Sequence, residues 1–77
     1  MHTIQFRQIE FGAWRLKTMS PCPGASAIIR KETPPFASTE VVRNEEWIVA
    51  RTYALKVAGA LRIGGYQITG KPAAERP

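Results

Sequence analysis

The segment from Asn44 to Leu61 constrains the fold of this chain more than any other feature. At about 100° per residue, Trp47, Ala50, Ala54, Val57 and Leu61 fall on one stripe, flanked by Tyr53 and Ala58. Asn44 is a favoured N-cap residue, and Glu45 and Glu46 place negative charge where a first helical turn favours it. Arg62 stands in the last turn before a Gly64-Gly65 stop. The spacing therefore predicts a helix that starts just after Asn44. One amphipathic helix cannot bury its stripe alone, so the remaining residues must supply a sheet for it to cross.

They carry the pattern for one. Residues 3–9 alternate, with Ile4 and Phe6 on one face and Thr3, Gln5 and Arg7 on the other. The parity shifts at Ile9, which ends the strand near Gln8 or marks a bulge. After Gly12, residues 13–19 alternate again, with Trp14, Leu16 and Thr18 opposed to Arg15 and Lys17. Two such runs around a short Gly-containing link predict a hairpin. Ser20 to Gly24 holds two prolines and a glycine and reads as a loop. Residues 25–31 are β-branched at the centre and read as a third strand, while 36–43 is either a short strand or a lead into the helix. Tyr66 to Thr69 closes the pattern as a last strand. The expected fold is α+β: a small antiparallel sheet of three to four strands with one helix across one face, in the order β-β-β-α-β. Residues 1–70 make one domain and 71–77 a polar tail. Phe6, Trp14 and Trp47 are the expected bulk of the core.

Composition removes several function classes. The 77 residues include one His and one Cys, and all six acids are Glu. A structural zinc site needs about four Cys or His ligands, and a disulfide framework needs paired cysteines. A Ser-His-acid relay would have only the terminal His2 to use. Gly64-Gly65 and Gly70-Lys71 lack the Lys-Ser/Thr pair and following helix of a phosphate loop. Glu45 and Glu46 are neighbours, so on a helix they diverge too far to flank one substrate. No cofactor or metal is expected, and a non-enzymatic role is. The start of the chain has no uninterrupted apolar run of the signal-peptide kind. The stretch from Trp47 to Ile63 is broken by Arg51, Lys56 and Arg62, so no membrane span is expected. A cytoplasmic location is the default, and the lone thiol in Pro21-Cys22-Pro23-Gly24 is read as an inert loop residue in a reducing compartment.

Charge carries the remaining information. Eleven Lys and Arg against six acids give a net charge of +5. One reading places Ile48, Arg51, Leu55 and Arg62 on a helix flank outside the core stripe. Apolar groups alternating with arginines suit a protein-binding surface, and the expected partner is a larger protein or nucleoprotein complex. The competing reading gathers Arg7, Arg15, Lys17, Arg30 and Lys31 on the sheet face away from the helix, as a nucleic-acid contact. Base stacking would need aromatics there, and Phe11 and Tyr66 are the two not assigned to the core side. A homodimer formed through the sheet edge or helix flank is a third reading. In size, lack of catalytic residues and architecture, the chain resembles the small proteins with which bacteriophages and mobile elements block host machinery, anti-CRISPR proteins among them. That resemblance implies steric occlusion of a host complex and assigns no residue a role.

Overall fold

The computed structural model describes residues 2–9, 12–19 and 22–70. The hairpin forms as its alternation predicts. Strand β1 (Thr3–Gln8) pairs antiparallel with β2 (Trp14–Thr18), with Phe6 opposite Leu16 and Arg7 opposite Arg15. Ile4, Phe6 and Leu16 are buried, while Gln5, Arg7 and Lys17 are exposed. The shift of parity at Ile9 marks the end of β1 rather than a bulge.

Residues 25–31 are not a strand. They belong to helix α1 (Ala25–Glu32), which starts from Gly24 in the left-handed region at φ +93. Ala25, Ile29 and Thr33 are buried at a spacing of four, so the apolar period here is helical. Arg30 and Lys31 sit in the last turn, where cations suit the helix dipole. Thr33 is extended at φ −130 because Pro34 follows it, and this ends the helix. The Thr33 hydroxyl donates to the Ile29 carbonyl at 2.9 Å.

The long helix is shorter than its periodicity suggests. A 3-10 turn (Pro35–Ala37) leads into β3 (Ser38–Val42), which pairs antiparallel with β4 (Glu46–Val49). Asn44 is the left-handed residue of the connecting turn, at φ +55, and not a helix cap. Asn tolerates that conformation better than most residues, so one side-chain preference serves either role. Within β4, Trp47 and Val49 are buried and Glu46 and Ile48 are half-buried, which is the period of a strand. Helix α2 runs only from Arg51 to Ile63 and buries Ala54, Val57, Ala58 and Leu61. Strand β5 (Gln67–Thr69) then returns beside β1, in parallel.

Among the described residues the fold is therefore α+β, with a five-stranded mixed sheet in the order β3-β4-β2-β1-β5 and two helices, in place of the expected antiparallel sheet of three to four strands with one helix. The strand at 36–43 is present as β3. Both helices pack on one sheet face, and the core lies between: Ile4, Phe6, Leu16, Ile29, Trp47, Val49, Val57 and Leu61. Trp14, placed with the core by sequence, is half-buried at its margin, with its ring 6.3 Å from Phe6. Cys22 is buried in that core, and burial pushes its thiol above the ordinary value. Among the described residues no helix is long and apolar enough to cross a membrane. The expected tail at 71–77 lies outside the described residues.

Candidate functional site

With both helices on one side, none of the described elements covers the second face of the sheet. Strand alternation decides what lies there. Thr3, Gln5 and Arg7 of β1, Arg15 and Lys17 of β2, and Glu46 and Ile48 of β4 share that face through the pairs Gln5–Lys17, Arg7–Arg15, Arg15–Ile48 and Lys17–Glu46. Gln5, Arg7, Arg15, Lys17 and Glu46 line a shallow depression of about 310 Å³. Arg15 Nη1 donates to Glu46 Oε2 at 2.5 Å. Among the described residues no carboxylate pairs with Arg7 or Lys17. Two arginines thus stand directly opposite each other on neighbouring strands, and among the described residues only Arg15 has a counter-ion.

The structure divides each of the sets expected from sequence. Arg7, Arg15 and Lys17 do come together on the face away from the helices. Arg30 and Lys31 do not join them, because α1 carries them on the opposite side of the sheet. Arg51, Leu55 and Arg62 keep one exposed stripe of α2, with Leu55 56% exposed. Arg51 also lies over Gly12, where an added Cβ would be 3.2 Å from its Cδ. Ile48 leaves that strip, since it belongs to β4 and sits beside Arg15 on the open face. Val49, its neighbour in β4, is buried beneath the helices. Of the two aromatics proposed for stacking, Phe11 lies outside the described residues. Tyr66 packs against the core and donates its hydroxyl to the Pro23 carbonyl at 2.7 Å. Glu46, which the helical period makes a dipole partner, is instead a member of the open face in β4. The parity of Glu46-Trp47-Ile48-Val49 against the buried Trp47 was the available signal for it.

The covered side holds a polar cluster of a different kind. Trp47 Nε1 donates to Ser26 Oγ at 2.9 Å, and that hydroxyl donates to Glu40 Oε2 at 2.8 Å. The Asn44 backbone N–H reaches the same carboxylate oxygen at 2.6 Å, and Arg30 pairs with the other one. The Asn44 amide, the Ser26 hydroxyl and Arg30 together hold the Glu40 carboxyl below the ordinary carboxylate value. These bonds tie α1 to β3 and β4. Among the described residues no group of three or more His, Cys, Asp or Glu side chains could hold a metal ion. Comparison with protein-family models, with curated proteins and with solved structures finds no match to this chain.

Proposed function

We propose that this protein is a non-enzymatic binding module that covers an acidic surface of a larger protein with its open sheet face. The observation that carries the reading is the Arg7–Arg15 pair. Like charges directly opposite across two strands are destabilising, and among the described residues a carboxylate, Glu46, offsets Arg15 but none offsets Arg7. An arrangement that costs stability yet concentrates positive charge on an uncovered surface suits an anionic partner. Ile48 beside Arg15, with Val42 exposed next to Glu46 in the register, adds apolar contact next to the arginines, the mix found at protein interfaces. A nucleic-acid partner is the less favoured occupant, because no aromatic among the described residues lies on this face to stack a base. The resemblance in format to phage-encoded inhibitors fits a protein that acts by occlusion, in a soluble compartment such as the cytoplasm.

Amide chemical-shift mapping of the full chain tests this, titrated with a Glu-Leu repeat peptide and in parallel with an oligothymidylate. The expected result is a salt-sensitive response to the peptide at Gln5, Arg7, Arg15, Lys17 and Ile48. A response confined to the Arg51, Leu55 and Arg62 stripe would move the site to α2. Tighter binding of the oligonucleotide than of the peptide would replace the protein partner with nucleic acid.

A further inference from the structure

The two edges of the sheet are unlike each other. The β5 edge is three residues long, and a short edge strand is one way in which proteins avoid pairing with other chains. The β3 edge is five residues, Ser-Thr-Glu-Val-Val, with neither Lys nor Pro in it. Ala50 N–H donates to the Ala37 carbonyl at 2.8 Å, and Thr39 stands opposite Ile48 in the same register. In an antiparallel ladder the residues that alternate with such hydrogen-bonded pairs turn their backbone groups away from the partner strand. Ser38 and Glu40 therefore present N–H and C=O outward, along an edge that ends at the bulge between Glu40 and Val42.

A groove runs beside that edge. Ile29 and Arg30 of α1, Pro35, Ser38 of β3 and Trp47 of β4 line about 290 Å³ of space between helix and strand. Next to it Phe36 is 87% exposed, and Val41 and Val42 are exposed at the far end of the strand. Charge identifies the occupant. Residues 34–42 contain one charged side chain, Glu40, and Arg30 neutralises it. The open sheet face carries Arg7, Arg15 and Lys17, and the outer side of α2 carries Arg51, Lys56 and Arg62. Two copies of a chain with net charge +5 repel each other on both of those surfaces. The β3 edge carries less of that repulsion, with Arg30 engaged by Glu40 and Arg43 just beyond the strand end, and small domains often gain stability by association.

We infer that the β3 edge pairs with the β3 edge of a second copy, antiparallel, through the outward backbone groups of Ser38 and Glu40. The exposed Phe36 and Val41 of each copy are covered in the contact. An antiparallel pair in one continuous sheet is related by a two-fold axis normal to the sheet. Ten strands then form one sheet, with all the helices on one side and both basic faces on the other. This inference does not rest on the function proposed above, since it uses neither the open face nor its partner.

Sedimentation equilibrium of the full chain from micromolar to millimolar concentration is the test. It is combined with amide hydrogen exchange and with thermal melting at each concentration. The mass is expected to rise from 8.6 kDa to twice that value, with a melting temperature that climbs with concentration. The Ser38 and Glu40 amides gain protection in the same range. Val41→Lys and Phe36→Asp, both at exposed positions, should each weaken association at least tenfold. Both variants should keep the wild-type circular dichroism and a cooperative melt when dilute. A mass that stays at 8.6 kDa at the highest concentration overturns the inference. So does a dimer that neither protects those two amides nor responds to either variant. Protection of the amides only on adding an extended Val-rich peptide would instead assign the edge to a strand from another protein.

Discussion

The two faces of the sheet are built from the same strands, one residue out of phase, and do different work. On the covered face Ile4, Phe6, Leu16, Trp47 and Val49 meet the helices, and the polar groups there close on each other through Ser26 and Glu40. On the open face two arginines oppose each other, and Arg7 has no carboxylate partner among the described residues. The first pattern is what stability selects. The second is what stability alone would remove, which is why function is assigned to it. Changes on the covered face should break the fold, and changes on the open face should spare it.

The largest effect is expected at Trp47, which is 2% exposed. Trp47→Ala should cost about 3–5 kcal/mol, comparable to the whole stability of a domain of this size. Differential scanning calorimetry should show no cooperative transition. Trp14→Ala, at the margin of the core, should still melt cooperatively at a lowered temperature. Next comes Ser26→Ala, which leaves the buried Trp47 Nε1 without its acceptor and should cost about 1–3 kcal/mol by urea denaturation. Glu40 provides a pH signature for the same cluster. Its carboxyl is held below its ordinary value near 4.5, so its stabilising contribution is fully present above that pH. The contribution is lost as pH falls from there through the lower folded-state value. Urea midpoints measured across that acid range should decline in the wild type, and Glu40→Gln should remove this part of the decline. The smallest effect is expected outside both faces. Leu55→Asp on the exposed side of α2 should shift stability by no more than about 0.5 kcal/mol and leave binding by the open face intact. An unfolded Leu55→Asp would show that α2 is covered where the structure exposes it.

The same contrast explains what could be read from the sequence. In the β1–β2 hairpin the outward positions are charged and the inward ones apolar, so strand, register and open face were all legible. Between Ala25 and Ala50 they were not. Trp47, Ala50 and Ala54 satisfy a helical spacing, while Trp47 and Val49 satisfy a strand, and a four-residue strand is too short for the alternation to win. Asn44 followed by two glutamates matches a helix start as well as it matches a left-handed turn. Ile28 and Ile29 drew the reading of 25–31 toward a strand, although Ala25, Ile29 and Thr33 already formed a helical stripe ahead of Pro34. Of the candidate site, the three cations of the hairpin could be placed from sequence. Glu46 and Ile48 could not, because their face depended on recognising β4.

Arg7→Glu tests the central claim most directly, with melting and affinity for the Glu-Leu peptide measured on the same sample. The substitution removes a like-charge pair across β1 and β2 and sets a carboxylate opposite Arg15. Stability should hold or rise by up to about 1 kcal/mol, while affinity for the acidic peptide falls at least tenfold. A less stable protein, or one that binds the peptide as well as the wild type, would contradict the assignment of function to the open face.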